Sequence, residues 1–155
     1  MELFKKRFQT RIEAGERLRC FCYLSYSSEA ETDRLIEALQ GLGVQVLAPR
    51  VEGEEMVAVP LGEDYAVSKW GIREPIGKAY VGEVDCIILP LLAVDRQGNR
   101  LGYGRGYYDK FLQGQPSAVT IAYCYDFQVL ACVPIEPTDE RVQYIVTDKR
   151  MEKTE

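Results

Sequence analysis

LRCFCYLSYSSEAETDRLIEALQGLGVQVLAP, residues 18–49, is the stretch that decides the fold. Residues 18–25 form an apolar run that reads as a strand buried on both faces. Ser28, with Glu31 three positions on, has the pattern of a capping box. Ala30, Leu35, Ile36, Ala38, Leu39 and Leu42 then recur on one helical face, and Gly41 and Gly43 fit its end. Residues 44–48 make a second apolar run, stopped at Pro49. Strand, helix and strand in this order suit a parallel pair joined by a crossover.

Outward from there the alternation continues. Residues 2–17 predict a short amphipathic helix ending near Gly15, whose basic cluster, Lys5, Lys6, Arg7 and Arg11, either faces an anion or is a solvated face. Residues 56–61 predict a strand. The block from Trp70 to Pro75 predicts an ordered loop in which the lone Trp packs. Residues 84–90 are the clearest buried strand. A glycine-bearing loop over 91–106 leads into a short helix over 107–113, closed by Gly114. Residues 118–123 read as a strand, 127–133 as an apolar connector, 134–139 as a loop and 142–146 as a last strand, while 148–155 read as a frayed tail. The expected class is α/β: an open three-layer α/β/α arrangement with a mainly parallel sheet, as one domain over residues 1–155. In such sheets ligands bind beyond the carboxyl ends of the strands. Regions 25–32, 50–56, 91–109 and 124–128 are therefore expected to line one crevice.

Composition narrows the chemistry. The chain has 155 residues, 46% apolar and 28% charged, which argues against disorder. A net charge of −5 argues against a nucleic-acid binder. No apolar run is long enough to span a bilayer, and residues 1–7 lack a signal core, so a cytoplasmic protein is expected. Five cysteines without a C-x-x-C pair read as reduced. There is no histidine, which removes Ser-His-Asp and Cys-His catalysis and any His base. Carboxylates, Lys, Arg, Tyr, backbone N–H groups and a hard metal ion remain.

The stretch from Arg100 to Lys110, RLGYGRGYYDK, is the chemical candidate. Gly102, Gly104 and Gly106 alternate with Tyr103 and Arg105, so this is either a loop whose N–H groups hold an anion at a helix start or a plain tight turn. Asp109 either favours the helix dipole or, with Asp139, holds Mg²⁺. Tyr107 and Tyr108 point about 100° apart on a helix, one suited to the core and one to a planar ligand. Glu29 and Glu31 either begin a helix or accept hydrogen bonds from a polar heterocycle.

The run from Asp85 to Asp109, DCIILPLLAVDRQGNRLGYGRGYYD, closely resembles the signature of the 5-formyltetrahydrofolate cyclo-ligases, also called methenyltetrahydrofolate synthetases. Residues 23–32, 46–50, 70–75 and 133–147 resemble further blocks in the same order, so the likeness covers about residues 20–148. It implies conversion of 5-formyltetrahydrofolate to 5,10-methenyltetrahydrofolate with ATP and Mg²⁺. ATP would phosphorylate the formyl oxygen, the neighbouring folate nitrogen would attack, and phosphate would leave. By resemblance Arg100, Gly102, Tyr103, Gly104, Arg105, Gly106, Tyr107 and Tyr108 line the nucleotide, with Arg100 and Tyr107 nearest the chemistry. Asp109 and Asp139 hold Mg²⁺, and Glu29, Trp70, Tyr107 and Tyr108 contact folate. A monomer or weak homodimer is implied. The chain departs from the pattern by starting roughly a helix late, by carrying Arg105 where many relatives have Gly, and by carrying Thr138 where many bacterial relatives have His. The alternative is a reduced-folate-binding or regulatory homologue with impaired ATP use.

Overall fold

The computed structural model describes residues 1–155. Helix α1 (Glu2–Glu13) turns Leu3, Phe4 and Phe8 inward, with the two Phe rings 4.8 Å apart. It ends where Gly15 adopts a φ of 75°. Strand β1 (Arg19–Cys22) leads to helix α2 (Asp33–Gly41), and β2 (Gln45–Glu52) pairs beside β1 in parallel. The expected strand–helix–strand unit is present, but the helix starts later than the Ser28 pattern implies. Ser27 takes a φ of 55°, which breaks any helical start there. Thr32, fully buried, instead donates through its hydroxyl to the Tyr23 carbonyl at 2.9 Å and accepts from the Ser25 N–H at 3.0 Å. The exit of β1 and the entry of α2 are thereby tied together, and residues 25–31 become a shaped loop. Glu31 meets the Arg34 N–H at 3.1 Å, outside any capping box with Ser28.

Pro49 does not end β2, which continues as a hairpin with β3 (Glu55–Pro60). The Val46 carbonyl accepts from the Leu61 N–H, so bonded pairs fall at alternate residues and both Pro49 and Pro60 occupy positions whose nitrogen faces away from the hairpin partner. The 70–75 region, expected as a loop, belongs to a second hairpin of β4 (Tyr65–Val67) and β5 (Arg73–Pro75). Strand β6 (Cys86–Leu89) returns to the other side of β1. Two short strands, β7 (Ala93–Asp95) and β8 (Arg100–Leu101), interrupt the expected 91–106 loop. Helix α3 (Tyr107–Gln113) then leads to β9 (Val119–Tyr123). The apolar connector resolves into a 3₁₀ turn and β10 (Val129–Leu130), which joins β7 and β8 in a small sheet. Strand β11 (Tyr144–Val146) follows. The supposed frayed tail holds β12 (Met151–Lys153), antiparallel to β11. Charged side chains there suit an edge strand, whose outer face is solvated.

The main sheet runs β12-β11-β9-β6-β1-β2-β3, parallel throughout except at its two edges. Alternate residues feed two cores. Cys20, Cys22, Val46, Ile88 and Ile121 meet α1 and α2 on one face. Phe21, Leu47, Ile87, Leu89 and Ala122 meet α3 on the other, with Phe21 stacked 4.3 Å from Phe111. This is the expected three-layer α/β/α class. Crossovers through α2 and α3 leave in opposite directions from β1 and β6, so right-handedness puts the two helices on opposite faces. A crevice opens between the carboxyl ends of β1 and β6 as a result.

Asp95 fixes the small sheet to this frame. Its buried carboxylate accepts from the N–H groups of Gln97 and Asn99, the Asn99 amide and the Val133 N–H, all within 3.1 Å. Burial opposes the charge, but bonds from Asn99, Val133 and Gln97 outweigh it and hold the carboxyl below the usual range. The stabilisation is thus complete above the unfolded-state value near 4 and fades as pH falls towards the lower folded-state value. Asp95→Asn should lower unfolding free energy by about 1–3 kcal/mol at pH 7. In urea titrations the gap from wild type should narrow at pH 3.

Candidate active site

The crevice is an open cleft of about 1320 Å³, lined from three sides. The loop after β1 supplies Tyr26 and Glu29, the β4–β5 hairpin supplies Lys69, Trp70 and Arg73, and the stretch from Arg100 to Lys110 forms the opposite wall. Pro134–Asp139 closes one end in place of the expected 124–128 region, of which no residue lines the cleft. The regions 25–32, 50–56 and 91–109 all contribute, as expected from their positions after strands.

Arg100 enters from β8 with its side chain almost wholly buried. One amino group reaches Asp109 Oδ1 at 3.2 Å, and its guanidinium lies 5.6 Å over the Tyr108 ring. Its Nε–H, also buried, has no partner in the protein. Such an orphan donor is costly unless a ligand accepts from it. A Cβ at Gly102 would come within 2.9 Å of the Arg100 guanidinium, so a side chain there would push that guanidinium out of place. Beyond it the backbone turns at Gly104 (φ 87°) and Gly106 (φ 69°), conformations that favour glycine. None of the N–H groups of residues 102–106 meets a backbone acceptor. Helix α3 is seven residues long, so any attraction for an anion rests on these N–H groups and Arg100 more than on a helix dipole.

Across the cleft, Glu29 accepts the Tyr26 N–H at 2.8 Å and the Tyr103 hydroxyl at 3.0 Å. Burial pushes its carboxyl up, against those two bonds. Trp70 is 55% exposed, so the expectation that it packs is overturned. The charged ends of Lys69 and Arg105 lie over its ring, 5.0 and 5.1 Å from the centroid. The ring enters neither core, so a ligand stacking on it would replace one of these cations. Tyr107 and Tyr108 both line the cleft and both pack partly inward; Tyr108 meets the two cores and sits edge-on to Phe21.

Asp109 and Asp139 share the cleft. Asp109 Oδ1 also accepts the Glu140 N–H, and Asp139 Oδ2 accepts the Glu136 N–H, so each carboxylate retains one oxygen without a protein donor. No three His, Cys, Asp or Glu side chains gather into a metal cage. Two carboxylates with nearby room for phosphate oxygens and water fit Mg²⁺ better than a metal needing a full protein shell. Lys5, Lys6, Arg7 and Arg11 do not line the cleft; Arg11 pairs with Asp85 and Glu16. Four cysteines are buried and none is paired. No helix is long and apolar enough to cross a membrane.

Sequence reasoning missed Lys69 and Arg73, cationic residues on the cleft wall. Arg73 ion-pairs with Asp33 at 3.0 Å and anchors the hairpin to α2. The signal was their position beside and within the Trp70 block. The Tyr103–Glu29 contact had no signal, since its partners are 74 positions apart.

Comparison with known proteins agrees with this architecture. A sequence profile described as the 5-formyltetrahydrofolate cyclo-ligase family matches residues 2–148. A 5-formyltetrahydrofolate cyclo-ligase of Mycolicibacterium smegmatis is 34% identical over 141 residues, spanning 83% of this chain and 72% of that protein. The protein of the same name from Escherichia coli K12 is 31% identical, over 83% of this chain and 77% of its own. The NMR structure of Aquifex aeolicus 5,10-methenyltetrahydrofolate synthetase superposes with a TM-score of 0.74 at 26% identity, over 99% of this chain and 84% of that one. Matched along nearly its whole length and built on the same sheet, the chain belongs to the 5-formyltetrahydrofolate cyclo-ligase family.

Proposed function

We propose that this protein converts 5-formyltetrahydrofolate to 5,10-methenyltetrahydrofolate, using ATP with Mg²⁺ and releasing ADP and phosphate. The observation that carries this reading is the single cleft that brings Glu29 and Trp70 to face Arg100 and the glycine loop. One wall suits a planar polar heterocycle and the other suits phosphates. Glu29 accepts from the N–H groups of the pterin ring, and Trp70 offers it a face. Tyr107 and Tyr108 floor the space between the two substrates. Arg100 and the free N–H groups of residues 102–106 hold the phosphate oxygens, and Arg105 adds charge at the loop tip.

The chemistry asks little acid–base work of the protein, which suits a chain without histidine. The formyl oxygen attacks the terminal phosphoryl group and ADP departs. The neighbouring folate nitrogen then attacks the activated carbon, and phosphate leaves with that nitrogen's proton as the ring closes. Positioning and charge stabilisation carry such a transfer. Arg100 and Tyr107 stand nearest these steps. Asp109 and Asp139 would hold Mg²⁺, which when bound screens the phosphate charge. The protein acts as a cytoplasmic enzyme in this reading, with small molecules as its partners.

The decisive measurement follows ADP and the methenyl chromophore together. Both should appear in step, and only when 5-formyltetrahydrofolate, ATP and Mg²⁺ are all present. Tight folate binding with no ADP formed would instead mark a folate-binding or regulatory homologue.

Asp109→Asn should cut turnover roughly ten-fold or more and raise the Mg²⁺ needed for half-maximal rate. An unchanged Mg²⁺ dependence would remove Asp109 as a ligand. Arg100→Ala should weaken ATP by about 1.5–3 kcal/mol and folate much less. Glu29→Gln should show the opposite preference, and calorimetry with each ligand separately distinguishes the two.

A further inference from the structure

Tyr103 and Glu29 stand on opposite walls of the cleft and are joined by one hydrogen bond of 3.0 Å, from the phenol to Glu29 Oε2. The other carboxylate oxygen, Oε1, is taken by the Tyr26 N–H at 2.8 Å. Both oxygens are therefore engaged before a ligand arrives. A carboxylate that reads a pterin-type ring accepts two parallel N–H donors, one on each oxygen. The Tyr103 phenol then competes with the ring for Oε2, while the Tyr26 N–H can stay on Oε1 beside a second donor.

The loop is built to let it withdraw. Tyr103 is 53% exposed, and it packs in neither core. Gly102 and Gly104 flank it, and nothing lies within 4 Å of where a Gly104 side chain would begin. The N–H groups of residues 102–106 make no backbone bonds that would have to break. On this side of the cleft the phenol is the tie between the glycine loop and the loop after β1. Burial of Glu29 adds a reason for the tie, because a desolvated carboxylate needs a donor and a phenol supplies one until a ring N–H replaces it.

We propose that Tyr103 is a latch that couples the two substrates. Its hydroxyl holds Glu29 while folate is absent, and folate, by displacing the phenol from Oε2, frees the glycine loop to close on the nucleotide phosphates. The latch rests on the folate and nucleotide assignments proposed above. Each ligand then selects the unlatched state, so each tightens the other by the same factor.

The test is calorimetry on the wild type and on Tyr103→Phe, which removes only the hydroxyl from an exposed ring. The probes are 5-formyltetrahydrofolate and a non-hydrolysable ATP analogue with Mg²⁺, each alone and in the presence of the other. In the wild type each ligand should tighten the other about ten-fold, the equivalent of one net hydrogen bond. In Tyr103→Phe each ligand alone should bind about ten-fold more tightly than to wild type, and the coupling factor should fall to about one. A merely structural hydroxyl would weaken both ligands and leave their coupling in place. If Tyr103→Phe binds either ligand alone no more tightly than the wild type, or keeps the wild-type coupling, the latch is overturned and the cyclo-ligase reading stands. If the wild type itself binds neither folate nor the analogue, the cyclo-ligase reading is overturned and the latch goes with it.

Discussion

A crossover between parallel strands runs right-handed, and this chain applies that rule in opposite directions on the two sides of β1. From β1 the chain passes through α2 to β2; from β6, on the other flank, it passes through α3 to β9. The loops leaving β1 and β6 therefore diverge to opposite faces, and a gap opens where they part. Everything with chemical character borders that gap. Thr32 shapes one rim by pinning the loop after β1, and Asp95 shapes the other by pinning the small sheet that carries Arg100. Neither residue lines the cleft, yet both decide where the lining residues stand.

The two rims carry opposite charge in a partly dry setting. Arg100 is nearly buried and keeps an unused donor; Glu29 is desolvated enough to raise its carboxyl's affinity for protons. Such groups are costly in a folded protein without partners. In this chain the cost is limited by ties that ligands can replace: Asp109 and Tyr108 around Arg100, Tyr26 and Tyr103 around Glu29, and Arg105 over Trp70. A site held together by replaceable contacts can exchange them for substrate contacts, so the groups are partnered both before and after binding.

Some of this was legible in the residues and some was not. The apolar runs at 18–25 and 84–90 read correctly as strands because strands buried on both faces leave a continuous signal. Helix α3 and its closure at Gly114 were read to the residue. The start of α2 was misplaced because Thr32 bonds to groups outside its own helix, which no local pattern reveals. Pro49 looked like a stop because a proline's effect depends on which side of the strand has a neighbour, and that is a property of the sheet. Strand β12 looked like a loose tail because its charged residues suit an edge. Trp70 looked like packing because large aromatics usually are, and here the ring enters neither core.

By itself the sequence determined the alternation of strands and helices, the α/β class, the exclusion of histidine chemistry and the identity of the glycine stretch as the chemical candidate. These are local quantities: side-chain period, composition and residue type. Only the tertiary structure decided that Glu29 faces Tyr103, that Arg105 lies over Trp70, and that Arg100 is buried with a free Nε. The Glu29–Tyr103 and Trp70–Arg105 contacts join residues far apart in the chain, and they exist because the sheet's strand order folds distant loops onto one edge. The glycine stretch could have been a plain turn on the residues alone. Its position at the edge where the crossovers part, with unpaired N–H groups beside a buried guanidinium, is what distinguishes it from one.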